Sequence, residues 1–174
     1  YIPAINWTRE NGFMAGVAIH NGFILPKRFE YLVMPFYAFG NNDLAGFGRV
    51  SYHIAHFEKF IRKATISLEA TQYVAPVNQN YQKIKAGLDL YFRNKKINAT
   101  ITQKLSCTCF LTTSLYQIEL GQNATMNSFL QFEYRLGQQR LINPFSVQAS
   151  LEIGKSYQKT LVELNYRVSY YGKN

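Results

Sequence analysis

The chain has 174 residues, enough for one domain with a sizeable core, and only 17% of them are charged, against roughly 25% in an average soluble protein. Its 19 Lys and Arg outnumber 10 Asp and Glu, but the basic residues are thinly spread, which argues against a nucleic-acid-binding protein. No run of about 18 apolar residues predicts a transmembrane helix.

Alternating apolar and polar residues between turns rich in Gly, Asn and Pro predict an all-β chain. In chain order we expect nine strands, at about residues 12–20, 29–39, 44–54, 63–73, 81–93, 99–109, 127–138, 143–154 and 157–171. Residues 111–120 are either a tenth strand or a continuation of the strand before them. The strongest helical periodicity falls on 53–62. Residues 1–174 contain no repeat or linker, so we expect a single domain.

Strand length separates two kinds of all-β protein. Strands of soluble proteins average five or six residues, whereas a tilted strand needs about nine to eleven residues to cross a bilayer. The predicted strands match the second length. The sequence therefore favours an antiparallel, up-and-down transmembrane β-barrel, with about eight to ten strands present and the barrel itself complete or larger.

The strands have one apolar and one polar face. In 81–93, for example, Ile84, Leu88 and Phe92 oppose Lys83 and Asp89. Mixed charges on the polar face are typical of a barrel lumen, where opposite charges pair across neighbouring strands. The predicted lumen-facing residues are Lys83, Lys85, Asp89, Glu133, Arg135, Glu152, Lys159, Glu163 and Arg167.

Aromatic residues near strand ends are candidates for the two interfacial girdles of such a barrel. They are Tyr73, Phe92, Tyr134, Phe145, Tyr166, Tyr170 and Tyr171. The alternative is a soluble β-barrel or sandwich that buries the apolar faces and binds an apolar ligand. It explains the alternation equally well, but the low charge and the long strands less well.

Residues 10–54 also resemble a known family. The motif positions are Asn11 to Met14, Gly16, Asn21, Gly22, Leu25 to Lys27, Phe29, Glu30, Met34, Pro35, Tyr37, Leu44 to Gly46 and Gly48. This segment resembles the C-terminal outer-membrane barrel region of Gram-negative aminopeptidase-N-like metallopeptidases. The resemblance implies an outer-membrane barrel, and beyond residue 54 only the strand pattern agrees.

No catalysis is expected in this chain. Those peptidases bind zinc through His-Glu-x-x-His, whereas His53 and His56 are three residues apart with no glutamate between them, and His20 is the one other histidine. Cys107 and Cys109 are too close on a strand to bond each other and lack a second pair for a metal site. We expect no catalytic, cofactor or metal site.

The expected location is a bacterial outer membrane, and the expected role is structural, anchoring or transport. The lipid bilayer is the expected partner, lipopolysaccharide and other outer-membrane proteins are further candidates, and no nucleic acid is expected. The chain opens without a signal sequence and ends on Gly172-Lys173-Asn174, which resembles the start of a hairpin. We therefore expect a fragment of a longer chain, or a barrel closed by strands from elsewhere.

Overall fold

A computed structural model describes residues 1–9, 11–22, 27–55, 60–75, 79–94, 100–113, 125–138 and 143–168. They form ten β-strands: β1 (Ile2–Thr8), β2 (Gly12–His20), β3 (Phe29–Ala38), β4 (Asp43–Ala55), β5 (Ile61–Ala75), β6 (Gln79–Phe92), β7 (Ile101–Thr113), β8 (Met126–Gln138), β9 (Phe145–Gly154) and β10 (Gln158–Tyr166). The chain is all-β, and none of the described residues forms a helix long and apolar enough to cross a bilayer.

The ten strands form one antiparallel sheet in the order β1 to β10, each paired with its neighbour in sequence. This is the predicted up-and-down arrangement. The sheet is open, because β1 and β10 do not pair with each other within the described residues. All nine residues of β10 are exposed, so this edge is uncovered on both faces.

The structure decides two points that the sequence left open. The stretch with the strongest helical periodicity is not helical where it is described: residues 53–55 end β4 and residues 61–62 belong to β5, while 56–59 lie outside the described residues. Of the two alternatives for 111–120, residues 111–113 follow the second, because they continue β7; 114–120 lie outside the described residues. The tenth strand is β1, whose short sequence contains Pro3. An edge strand tolerates proline, because one row of its backbone N–H groups needs no partner.

Proline also interrupts the ladder between β2 and β3. Pairing runs from Met14 to Gly16 and resumes at Ile19, and the gap lies opposite Pro35. A Cβ on Gly16 would come within 2.1 Å of the Pro35 carbonyl oxygen. Glycine is therefore required where the two backbones approach most closely.

The two ends of the sheet differ in the length of their connections. At the end we call the turn end, the connections are 9–11, 39–42, 76–78, 114–125 and 155–157. At the opposite end, the loop end, they are 21–28, 56–60, 93–100 and 139–144. Four of the five turn-end connections have three or four residues, whereas each loop-end connection has at least five.

Near the turn end, the β1–β2 connection is tied to β5. The side chain of Asn11, only 1% exposed, donates to the Val74 carbonyl at 3.0 Å and accepts from the Val74 N–H at 3.3 Å. It also donates to Thr8 Oγ1 and accepts from Asn41 Nδ2. Because Asn11 and Val74 lie 63 residues apart, this one amide joins β1–β2 to a strand that is not adjacent in the sheet.

A small apolar cluster lies at the same end. Met14, Ala38 and Ala45 are buried, and Phe36 and Tyr73 pack against them. By register all five lie on the face that also carries the charged residues. The described part of the chain therefore buries little apolar surface, most of it at one end of this face, and the other two buried apolar residues, Ala64 and Val74, lie on the opposite face.

Candidate functional site: the polar face of the sheet

One row of paired residues identifies the face that carries the charge. The row crosses eight strands, from β3 to β10, through Glu30, Ser51, Ser67, Gly87, Thr108, Gln131, Glu152 and Lys159. Because side chains alternate along a strand, every second residue from this row shares its face. We call this side of the sheet the polar face.

Nearly every charged strand residue lies on the polar face. The set is Glu30, Asp43, Arg49, Lys63, Glu69, Lys83, Lys85, Asp89, Lys104, Glu133, Arg135, Glu152, Lys159 and Glu163. The exception among the ten strands is Arg62, at the register shift between Ile61 and Lys63. The set holds seven cations and seven anions, so the polar face of the strands is neutral in sum.

The predicted lumen-facing residues fall on this face together. The register places Lys83, Lys85 and Asp89 of β6, Glu133 and Arg135 of β8, Glu152 of β9 and Lys159 and Glu163 of β10 on the polar face. Arg167 follows β10 with the same alternation, and its N–H donates to the Pro144 carbonyl. Because the sheet is open, the assignment of the polar face to a lumen stays a prediction.

The polar face carries a cavity and several buried hydroxyls. The cavity, of about 280 Å³, is lined by polar-face residues from five consecutive strands, β4 to β8. Small polar residues of this face are buried: Ser51 is 3% exposed, Thr65 6% and Ser106 8%. We infer from these two features that the sheet curves towards the polar face, which is then its concave side.

Ion pairs in this cavity differ from the predicted ones. Asp89 Oδ2 lies 3.0 Å from Lys104 Nζ of β7, a lysine outside the predicted set. Glu133 pairs with Arg135, two residues along the same strand, and not with a cation of a neighbouring strand. Lys104 could have been found from sequence, because Thr102, Lys104, Ser106 and Thr108 continue the polar alternation of strand 99–109.

Aromatic rings share the polar face with the cations. Phe110 and Phe129 are directly paired and stack with their centroids 4.6 Å apart. Lys83 and Lys85 lie over the Phe110 ring at 5.4 and 6.0 Å, and Lys104 lies 5.4 Å from the Tyr91 ring. Cations held over ring faces are stabilised by the ring quadrupole. Tyr91 is expected here, since the sequence places it on the polar side of strand 81–93 with Lys83 and Asp89, whereas Phe110 and Phe129 were not predicted, because apolar rings are not expected among polar neighbours.

His53 is held as part of the polar face. Its Nε2 lies 3.2 Å from Glu30 Oε2, and its Nδ1 lies 3.0 Å from Thr65 Oγ1. Glu30 Oε1 also accepts from the Lys27 N–H. Three neighbouring strands thus fix the imidazole through hydrogen bonds. His56, which follows His53 by three residues in the sequence, lies outside the described residues.

Tyr157 lies between β9 and β10, outside the strands. Its hydroxyl donates to Glu152 Oε1 at 2.5 Å, and this hydrogen bond to a carboxylate raises the pKa of Tyr157 above its ordinary value. The contact connects the turn end to the row that defines the polar face.

The opposite side of the sheet is apolar and uncovered. One row of directly paired residues on it reads Tyr52, Ile66, Leu88, Cys107, Phe132 and Leu151. Exposed large apolar residues of this face range from Val50 and Tyr134 at 37% to Leu164 at 77%. Apart from Arg62, no described strand residue on this face is charged. We call it the apolar face.

Aromatic residues of the apolar face are concentrated towards its two ends. The turn end carries Trp7, Phe13 and Tyr37, with Phe13 and Tyr37 in ring contact with Phe39. Towards the loop end lie Phe29, Tyr31, Tyr52, Phe92, Tyr134, Phe145 and Tyr166, and the ring of Phe60, just before β5, contacts that of Phe92. Aliphatic residues dominate between these two aromatic bands.

Four predicted girdle residues lie in the loop-end band, namely Phe92, Tyr134, Phe145 and Tyr166. Tyr73 was placed wrongly. It lies on the polar face, where its ring is 4.7 Å from that of Tyr81, because it is an even number of residues from Ser67 and Glu69. Tyr170 and Tyr171 lie outside the described residues.

Comparison with protein-family models, with characterised proteins and with solved structures found no match to this chain. The geometry of the two faces is therefore the basis for a functional proposal.

Proposed function

We propose that residues 1–174 form all or most of the wall of an antiparallel transmembrane β-barrel in a bacterial outer membrane, with a structural, anchoring or transport role and no catalysis of its own. The distribution of charge carries the proposal. A concave face with fourteen charged side chains opposes a face with none but Arg62. In a transmembrane barrel the outer side is apolar and the lumen polar, which is the same arrangement.

The exposed apolar surface supports the same proposal. Soluble proteins rarely expose contiguous apolar patches above a few hundred Å², because such patches associate or bind membranes. Here the apolar face runs across ten strands, and its large residues are at least one-third exposed at many positions. The strand length supports it too, since β4 to β8 have 13 to 15 residues and a tilted strand crosses a bilayer in about nine to eleven.

The two aromatic bands give the depth of the proposed insertion. Tyr and Trp rings favour the headgroup region, where the ring contacts acyl chains and the polar group meets water. The aliphatic part of the apolar face would then lie in the hydrocarbon. Four of the five turn-end connections are shorter than every loop-end connection, as periplasmic turns are shorter than extracellular loops in known outer-membrane barrels, and the exception is 114–125.

Flotation with lipid vesicles tests the proposal. Protein refolded from urea in the presence of phosphatidylcholine vesicles should float with them in a density gradient and should show a β-sheet circular dichroism spectrum. Its strands should resist added protease, because the bilayer and the hydrogen bonds between neighbouring strands protect the backbone. A monomeric, folded protein in detergent-free buffer that stays at the bottom of the gradient would contradict it.

The soluble alternative requires the apolar faces to point into the core. Among the described residues the buried apolar ones are Met14, Ala38, Ala45, Ala64 and Val74, and this set is too small to line a site for an apolar ligand. The charged residues occupy the concave side instead. This favours the membrane barrel over the soluble one.

The resemblance of residues 10–54 to the barrel region of aminopeptidase-N-like metallopeptidases suggests a more particular role. In this second form of the proposal, the chain is the membrane anchor of a larger enzyme that carries its zinc site elsewhere. The mass of the mature polypeptide tests it: a chain long enough to include a peptidase domain supports the anchor, and a chain of about barrel size contradicts it.

A further inference from the structure

The loop end combines exposed cations with the loop-end aromatic band. Lys27, Arg28 and Arg62 are exposed, and no described carboxylate lies within 4 Å of their charged groups. Arg93 at the end of β6 is exposed as well. These four residues belong to the ends of neighbouring strands and therefore form one basic stretch along the rim of the sheet.

Two backbone hydrogen bonds fix the order of these residues along the rim. The His53 N–H donates to the Arg28 carbonyl at 2.7 Å, and the Arg93 N–H donates to the Phe60 carbonyl at 3.0 Å. They extend the β3–β4 and β5–β6 ladders beyond the strand ends. The cations on either side of β4 and β5 are thereby held at the same level as the exposed ring of Phe60.

The sequence gives the two ends very different charge. The loop-end connections contain seven Lys and Arg and one Glu, whereas the turn-end connections contain two Lys and Arg and two Glu. Since the polar face of the strands is neutral in sum, most of the net charge of +9 comes from the loop end. The protein is thus electrically polar along the strand direction.

We propose that the loop end binds the phosphate groups of anionic lipid headgroups in the leaflet around it. The proposal rests on the membrane insertion proposed above. Lys and Arg just beyond an interfacial aromatic band lie at the depth of the lipid phosphates, and such cations favour anionic over zwitterionic lipid. Phe29 and Tyr52 of the apolar face lie next to these cations, and the Phe60 ring contacts that of Phe92 on the same face, so a lipid whose phosphate meets the cations can place its acyl chains against these rings.

The position of the rings beside the loop-end cations favours lipid over a nucleic acid as the ligand. Proteins that bind single-stranded nucleic acid align a basic groove with aromatic rings that stack on the bases. Here the exposed rings at the loop end belong to the face proposed to lie in the bilayer, where bases would not reach them. A bilayer headgroup satisfies both the cations and the rings.

The test compares two double substitutions that remove the same charge at opposite ends. R28Q/R62Q removes two positive charges from exposed residues of the loop end, and R9Q/K155Q removes two positive charges from exposed residues of the turn end. Each protein is placed in phosphatidylcholine vesicles that contain a trace of spin-labelled phosphatidylglycerol or spin-labelled phosphatidylcholine. The fraction of immobilised label measures the preference for the anionic lipid, at two salt concentrations.

We expect the unsubstituted protein to prefer phosphatidylglycerol by at least about threefold, since each cation near an anionic surface contributes several-fold. R28Q/R62Q should reduce this preference to below about half, R9Q/K155Q should leave it within about 20%, and added salt should weaken it. Equal losses in the two variants, or no preference in the unsubstituted protein, would overturn the proposal.

Two further measurements distinguish lipid phosphate from inorganic phosphate and from RNA. If inorganic phosphate abolishes the lipid preference where chloride at equal ionic strength does not, the site binds free phosphate and the lipid proposal is wrong. Tight binding of an RNA oligonucleotide that R28Q/R62Q abolishes would likewise overturn it. A protein that floats with vesicles without preferring anionic lipid contradicts this inference alone, whereas failure to float contradicts the proposed function as well.

Discussion

Leu130→Arg should destabilise the protein in a bilayer by about 2 to 4 kcal/mol, whereas Gln131→Arg should cost less than about 1 kcal/mol. The two residues are neighbours on β8 and lie on opposite faces. Leu130 is on the apolar face, paired with Cys109 and Ile153, and Gln131 lines the cavity of the polar face. An arginine at the lipid midplane loses its hydration, whereas one on the polar face keeps polar neighbours. Unfolding by urea in phosphatidylcholine vesicles measures both free energies.

The comparison separates the two orientations of the sheet. If the apolar face met water, Leu130→Arg would change the stability by less than about 0.5 kcal/mol, as exposed substitutions usually do. Equal penalties at the two positions would therefore contradict the proposed orientation. Leu164→Arg and Asn165→Arg repeat the test on β10, with Leu164 on the apolar face and Asn165 on the polar one.

Asn11→Ala should lower the free energy of unfolding by about 2 to 3 kcal/mol, because the Val74 N–H and carbonyl would lose their partner in a buried place. Asn6→Ala is the matched control. Asn6 is exposed, and its side chain accepts from the adjacent Trp7 N–H, so this change should stay within about 0.5 kcal/mol.

The same urea titration in vesicles measures both asparagine variants. A similar loss at both positions would show that the tie between the β1–β2 connection and β5 contributes little. Asn11→Asp gives a further check, since a carboxylate could still accept from the Val74 N–H but could not donate to the Val74 carbonyl. It should also be destabilising.

The sheet and the two faces of its strands could be predicted from the sequence wherever apolar and polar residues alternate along a strand. In β6 the residues from Lys83 to Phe92 alternate without interruption, and a shift of one residue would turn every side chain to the other face. The antiparallel order follows, because short turns leave consecutive strands no other partner. β1 was missed because its seven residues contain Pro3 and no charged residue, so local alternation gives a weak signal.

Features that depend on distant residues could not be predicted. The burial of Asn11 requires Val74, 63 positions away, and no local pattern reports that contact. Tyr73 differs from Asn11, because its even spacing from Ser67 and Glu69 on its own strand already places it on the polar face, and it was misassigned only by its position near a strand end. The pairing of Asp89 with Lys104 depends on side-chain reach across β6 and β7, and composition offers several equally good partners.

The central claim is that the apolar face meets lipid and the polar face meets water, and adjacent residues of β7 test it directly. Cys107 and Cys109, the two cysteines of the chain, lie on the apolar face, and Thr108 between them lies on the polar face. A nitroxide is attached at Cys109 in a Cys107→Ala background, or at Thr108→Cys with both native cysteines replaced by alanine. In vesicles we expect the label at 109 to collide with oxygen far more than with a water-soluble nickel chelate, and the label at 108 to show the reverse. Equal access of the nickel chelate to both positions, or the opposite order, would contradict the proposed membrane orientation.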